Sequence, residues 1–233
     1  MRQDNYFENH PWYTSNFEIL HAKMYSKYIS DLKKQWITLK SSDSILEIWV
    51  WIWNFTHYCN QNNIKKYIWL DIDKYFFDDL RKNYPYFSFI NEKYQNFLEG
   101  KKETFDIIFT SHICEHLSQS EIIDLTKFIY NSLKKGWIWI NYMPNANAVI
   151  NASYMRYGDI THRTLYNSDS FEQIINISKV RFNEIKHLND NPTNLIKKII
   201  HNIFVLITKI YFMWMMQSFP KNYTSNLISI LKK

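Results

Sequence analysis

Five short runs rich in apolar and β-branched residues recur over 44–145, with stretches between them in which apolar positions fall three or four apart. The runs are "SILEIWV" (44–50), "KYIWLDI" (66–72), "YFSFI" (86–90), "FDIIFTS" (105–111) and "WIWINYM" (137–143). They are nearly continuous rather than alternating, which predicts strands buried on both faces in a parallel sheet between helices. Helices fit the intervals, notably over 74–83 and 118–134. The second opens "SQSE", a capping-box spacing, and ends before Gly136. The expected class is α/β.

Outside this core, 17–35 has the spacing of an amphipathic helix, and "VRFNEIKHL" (180–188) and "SNLISILKK" (225–233) have that of two late strands. Between those strands, 194–216 places Ile196, Ile199, Ile200, Ile203, Leu206, Ile207, Ile210 and Trp214 on one stripe. Lys198, His201, Asn202, Thr208 and Lys209 fall mostly opposite. Charges at Lys197, Lys198 and Lys209 interrupt any run near the ~20 apolar residues of a bilayer span. The expectation is that this helix packs on the domain through its isoleucines as a cover, or touches a membrane surface weakly. The chain then divides into a helical lid (1–40), the α/β domain (41–190), and a C-terminal helix with the final strand (191–233).

Composition sharpens one part of this picture. Gly occurs only 3 times in 233 residues, whereas Trp occurs 9 times; an average chain of this length carries ~7% Gly. The net charge of +6 comes from scattered lysines, so no nucleic-acid partner is favoured. Cys59 and Cys114 form neither a disulfide framework nor a C-x-x-C metal pair, and "MRQDNYFENHPWY" lacks the apolar core of a signal peptide. A cytoplasmic location is expected.

The glycine deficit meets the tryptophan excess in "SILEIWVWIWNFTHYC" (44–59). A buried strand, a tight turn, a helix and a second strand ending in a carboxylate open a nucleotide-binding α/β domain. The turn needs glycine, because its backbone adopts angles that a Cβ forbids and approaches the ligand closely. Trp49, Trp51 and Trp53 stand there instead. With glycine at those positions the turn becomes "LEIGVGIGNF", and with glycine at Trp69 the second strand becomes "YIGLDID". Both resemble class I S-adenosylmethionine-dependent methyltransferases. Glycine at Trp137 turns "LKKGWIWI" into the same family's entry to strand five. Some bacterial lineages decode UGA as glycine where another translation table reads tryptophan, and this accounts for all five positions at once. Trp36 and Trp139 are further candidates for the same misreading. If the tryptophans are genuine, the alternative is a degenerate, non-catalytic binding module.

The resemblance implies a Rossmann-like, doubly wound sheet of seven strands, parallel except for the last, with helices on both faces and S-adenosyl-L-methionine as cofactor. It assigns Glu47, Trp49, Trp51, Trp53, Asp71 and Ile72 to the cofactor, with Asp71 accepting from the ribose hydroxyls. Glu92, with Asn91 and Gln95 as alternatives, falls near the adenine. "FDIIFTSHICEHL" matches the family's fourth strand and its exit, placing Ser111 and His112 beside the cofactor and Glu115 and His116 at the loop and acceptor side. "RYGDITH" (156–162) matches the acceptor segment, with Asp159 and His162 holding or deprotonating a hydroxyl and Tyr142 and Arg156 lining the acceptor. Arg163 stands where relatives carry Glu. The implied activity is O-methylation of a small molecule or saccharide.

Three rival readings fit less well. His112, Glu115 and His116 spell the H-x-x-E-H of inverted zinc proteases, but His112 falls at a strand exit rather than on a helix, and no metal is expected. A nucleotide-dependent oxidoreductase needs a third glycine where Asn54 stands. A base-modifying enzyme would carry Asn/Asp-Pro-Pro-aromatic where "SHICEH" lies.

Overall fold

The computed structural model describes residues 38–49, 54–148, 151–190, 195–215 and 217–233. The expected helix at 17–35, most of the 1–40 lid, Trp51 and Trp53 lie outside the described residues. Among the described residues there are seven strands: β1 (Ser44–Ile48), β2 (Lys66–Asp71), β3 (Ser88–Asn91), β4 (Phe105–Ser111), β5 (Leu133–Pro144), β6 (Glu184–Asn189) and β7 (Asn226–Lys232). The helices are α1 (Asn54–Gln61), α2 (Phe77–Asn83), α3 (Tyr94–Leu98), α4 (Gln119–Ser132), α5 (Ala152–Tyr157), α6 (Ser168–Ile177) and α7 (Leu195–Trp214).

The strands form one sheet in the order β3-β2-β1-β4-β5-β7-β6. The pairs along β3-β2-β1-β4-β5 are parallel, and β7 runs antiparallel to both of its neighbours. This is the doubly wound sheet with a reversed last strand that the sequence implied. Chain order reverses between β1 and β4, so a crevice opens at the carboxyl ends of these strands, where ligands bind in such folds.

Each face of the sheet is buried. Phe55, Cys59, Phe77 and Leu80 of α1 and α2 pack on one side; Ile122, Leu125, Ile129, Phe171 and Ile174 of α4 and α6 pack on the other. Helix α4 begins at the expected capping box: Ser118 accepts from the Glu121 amide, and the Glu121 carboxylate accepts from the Ser118 amide at 2.8 Å. It ends at Ser132 rather than 134, because Leu133 already pairs with Phe105. Gly136 then takes φ +80°, a left-handed angle that admits glycine without strain. Trp139 is a hydrogen-bonded core indole, fully buried, donating from Nε1 to Thr110 Oγ1 at 2.8 Å and meeting the Phe171 ring edge-on. It sits in its strand as tryptophan does.

Glu47 is wholly buried in the middle of β1. Its Oε2 accepts from Thr56 Oγ1 at 3.0 Å and from the Tyr67 hydroxyl, while Oε1 has no hydrogen-bond partner among the described residues. Burial pushes its carboxyl well above the usual range, against the Thr56 hydroxyl, which lowers it. A raised native pKa means the folded state holds the extra proton, so this group's contribution to stability falls as pH rises from the unfolded carboxyl's value. Glu47→Gln should therefore melt higher than the parent at pH 8, with the difference shrinking toward pH 4. Thermal scans across that range test it; a gap that widens on acidification would reverse the sign argued here.

The C-terminal helix departs from expectation. Helix α7 turns Val205 and Thr208 inward, with His201 and Phe204 beside them. The isoleucine stripe faces outward: Ile196, Ile199, Ile200, Ile203, Leu206, Ile207, Ile210 and Trp214 are between 52% and 77% exposed. Periodicity located the apolar face correctly, but the domain is not what it meets. A cavity of about 180 Å³ lies under the helix, bounded by Asn151, Asp190, Tyr223 and Thr224. No helix among the described residues is long and apolar enough to cross a membrane.

Candidate functional site

The carboxyl ends of β1, β2 and β4 bring the sequence-selected residues together in two groups. At β2, Asp71 is 3% exposed, and its Oδ1 accepts from the Asp73 amide at 2.9 Å. The adjoining end of β3 is tied to it: Asn91 Nδ2 donates to the carbonyls of Asp71 and Ile72, and the Glu92 amide donates to the Asp71 carbonyl at 3.1 Å. Ile72 packs partly buried against the core, and Glu92 is half-buried beside it. Glu47 is not in this group, since its carboxylate is spent inside the β1–β2–α1 junction.

Trp49 follows β1 with φ +58°, a left-handed angle that is a rare and strained choice for a bulky side chain. Its amide donates to the Leu70 carbonyl at 2.9 Å, fixing the turn against β2. The indole, 5% exposed, stacks on the His116 ring with centroids 5.5 Å apart and planes 14° from parallel. It therefore occupies the space between the end of β1 and the loop after β4. Among the described residues the other doubted positions differ: Trp69 is 2% exposed and packs near Phe89, and neither it nor Trp137 has a positive φ.

The second group forms where the loop after β4 meets "RYGDITH". Ser111 is buried, and His112 has φ +53° with its amide bonded to the Tyr142 carbonyl. His112 Nδ1 lies 3.0 Å from Glu115 Oε1. A 3-10 turn over Cys114–His116 then sets Glu115 and His116 side by side, both buried. The Glu115 carbonyl accepts from the amides of Arg163 (2.6 Å) and Thr164 (3.3 Å), which draws the acceptor segment onto the loop. Burial opposes ionisation of Glu115, but the His112 hydrogen bond and the neighbouring His112 and His116 rings outweigh it and hold its carboxyl below the usual value.

Asp159, Thr161 and His162 complete the group. Asp159 Oδ1 accepts from the Thr161 amide at 2.8 Å and from its hydroxyl at 2.6 Å, so the Thr161 oxygen is left to accept from His116 Nδ1 at 2.9 Å. His162 Nδ1 donates to the Met155 carbonyl. That bond points Nε2 inward, 3.8 Å from Asp159 Oδ2 and 4.0 Å from Glu115 Oε1. The His116 and His162 rings meet edge-to-face at 4.7 Å.

Two residues selected from the sequence take other places. Arg156 donates to the His162 carbonyl and lies over the Tyr157 ring, so it holds the segment closed from helix α5. The Tyr142 ring tilts against His112 at 5.3 Å, while its hydroxyl donates to Asp190 Oδ2 at 2.7 Å and accepts from Asn226. Arg163 has its own partner, Glu121 Oε2 at 3.6 Å. Thr161 and the Met155 carbonyl were not selected from the sequence, although the Thr in "DITH" was the available signal.

No protein-family model matches the chain, and no curated protein matches it either. Solved structures do. One is a methyltransferase dependent on S-adenosylmethionine from Archaeoglobus fulgidus, 18% identical over 93% of this chain and 94% of that one, with a TM-score of 0.64. Another from Mesorhizobium loti, of the same description, is 8% identical over 88% and 96% of the two chains, TM-score 0.59. The chain has the methyltransferase fold. A phosphoethanolamine N-methyltransferase from Haemonchus contortus, solved with S-adenosylhomocysteine and phosphomonomethylethanolamine, matches all of this chain at 14% identity and TM-score 0.63. This chain spans 61% of that one.

Proposed function

We propose that the protein is an S-adenosylmethionine-dependent methyltransferase that acts on a hydroxyl group of a small molecule or saccharide. One observation carries this reading: a buried carboxylate stands at the carboxyl end of β2, and a separate buried cluster of Glu115, Asp159 and His162 gathers at the loop after the carboxyl end of β4. Asp71 fits a cofactor ribose. The turn after β1 does not fit the cofactor as the chain is written, because the Trp49 indole fills the place its backbone should leave open. We attribute that misfit to glycine codons read as tryptophan.

A methyl group on sulfonium arrives already activated, so the protein's part is alignment, water exclusion and removal of the acceptor proton. His162 is built for the last of these. With Nδ1 donating to a carbonyl, a neutral ring presents its Nε2 lone pair to the acceptor, and Asp159 and Glu115 stabilise the ring once it is protonated. Asp71, on the other side of the crevice, would hold the cofactor. The test incubates the chain carrying Trp49→Gly, Trp51→Gly, Trp53→Gly, Trp69→Gly and Trp137→Gly with methyl-labelled cofactor and panels of sugars, phenols and amines. Label on a hydroxyl supports the reading. Label only on amines rejects O-methylation, and cofactor binding without any transfer favours a non-catalytic module, the reading to which the Trp49 indole itself lends weight.

The exposed stripe of α7 supports a second assignment, contact with an anionic lipid surface. The helix carries Lys197, Lys198 and Lys209 but no acidic residue, and the chain's net charge is +6, so an anionic surface complements it where a second copy repels it. Ile199→Asp, Ile203→Asp and Ile207→Asp together should weaken co-sedimentation with phosphatidylglycerol vesicles at least ~10-fold, since each buried isoleucine contributes about 1.5–3 kcal/mol. Equal sedimentation of parent and triple variant would remove the helix from membrane contact.

A further inference from the structure

We propose that Glu115, His116 and His162, with Asp159 beside them, form a binding site for one divalent first-row transition ion. The inference rests on the acceptor site described above and deepens it. One donor atom from each of the first three residues lies within 4.8 Å of the others, and all three side chains are buried. His116 and His162 lie 46 positions apart in the chain, so the grouping is made by the fold.

The ring orientations single this cluster out from an ordinary buried polar contact. His162 donates Nδ1–H to the Met155 carbonyl, and His116 has Nδ1 on the Thr161 hydroxyl, which in turn donates to Asp159. Each neutral ring therefore keeps its lone pair on Nε2. Metal-binding histidines are held in this way, with the far nitrogen donating to a carbonyl or to a carboxylate-linked group that fixes the tautomer. His162 Nε2 and Glu115 Oε2 are buried and have no hydrogen-bond partner among the described residues.

Distances allow the ion with little rearrangement. Donors up to 4.8 Å apart need to move inward by at most about 0.7 Å each to reach the ~2.1 Å of zinc–nitrogen and zinc–oxygen bonds. Two imidazoles with one or two carboxylates suit Zn²⁺, Fe²⁺, Co²⁺ or Mn²⁺, whereas Mg²⁺ and Ca²⁺ prefer oxygen donors and retained water. The Trp49 indole covers a face of the His116 ring rather than its edge. With His162 Nε2 bound to it, the ion takes the place of the imidazole base in the proposed chemistry: a hydroxyl ligated to it releases its proton at lower pH than a free one, and that proton passes to solvent.

The test uses the full chain, stripped with a chelator and titrated with Co²⁺ and Zn²⁺ without cofactor or acceptor. Calorimetry should give one ion per chain, and Co²⁺ should develop visible bands of a nitrogen- and oxygen-ligated site. His162→Ala and, separately, Glu115→Gln should weaken Zn²⁺ binding at least 100-fold, while Mg²⁺ should bind neither parent nor variant measurably. Should a variant fail to fold, the parent still decides. A parent that binds no Co²⁺ or Zn²⁺, or variants that bind as the parent does, overturns the site. Methyl transfer is assayed apart from this. In the glycine-restored chain, transfer that persists after chelation removes the ion from the reaction and leaves the methyltransferase reading standing; metal binding without transfer keeps the site and counts against that reading.

Discussion

Replacing Trp49 with glycine, alone or with Trp51→Gly and Trp53→Gly, should lower the melting temperature of the free protein and yet give it measurable affinity for S-adenosylmethionine. Two opposed effects set the first outcome. A bulky residue held at φ +58° stores strain of about 1–3 kcal/mol, which glycine removes. The indole is also 5% exposed, and truncating a buried tryptophan costs about 3–5 kcal/mol. Burial outweighs strain, so the free variant should melt several degrees lower, at ~2–4 °C per kcal/mol for a chain of this size. Cofactor then reverses the order, because ligand at 100 times its dissociation constant stabilises by about 2.7 kcal/mol. The parent should show no cofactor-dependent shift. Calorimetry and thermal scans with cofactor and its demethylated product test both halves. Cofactor binding by the parent as tight as by the variant would defeat the steric argument, and tryptophan in native-source peptides spanning 41–65 would defeat the recoding.

The backbone treats the doubted positions unequally, and this limits how far one explanation extends. Trp49 takes glycine's angle. Trp69, in the middle of β2, and Trp137, next to the left-handed Gly136, do not. For those two the case rests on the motif alone. Trp139, doubted for the same reason, donates a hydrogen bond to Thr110 and fills the core. Among the described positions, the single variant Trp49→Gly is therefore the most informative.

The first five strands were legible because buried parallel strands need continuous apolar runs, and five such runs stood between helical spacings; their doubly wound arrangement came only with the family resemblance. The late pair was legible too, since Asn226–Lys232 is apolar along its length and β6 pairs with it in register. The orientation of α7 was not. An apolar stripe reports which face avoids water, but what covers that face depends on contacts distant in sequence, and here His201 and Thr208 meet the domain instead. The acceptor cluster was half legible. "EH" and "TH" each suggested chemistry, but their meeting depends on the Glu115 carbonyl capturing the Arg163 and Thr164 amides, a link that side-chain motifs do not encode. Arg156 shows the same gap: its guanidinium donates to a backbone carbonyl six residues on, a contact that the motif does not encode.

His162→Ala should reduce methyl transfer by about 10²–10³-fold in the glycine-restored chain while leaving cofactor affinity within about two-fold. The expected loss is that of a positioned proton acceptor, typically 10²–10⁴-fold. Cofactor affinity is spared because Asp71 belongs to the separate group at β2, which shares no hydrogen bond with the His162 cluster among those described. Asp159→Asn should cost less, about 10-fold, since the amide oxygen can still accept from Thr161 while the charge beside His162 Nε2 disappears. Single-turnover rates with cofactor pre-bound separate this from a binding defect. If His162→Ala weakens cofactor binding as much as it slows transfer, the ring supports the whole crevice and is no proton acceptor. If the rate does not change, neither an imidazole base nor an ion held by it takes part in the reaction, and the acceptor proton must leave by way of solvent.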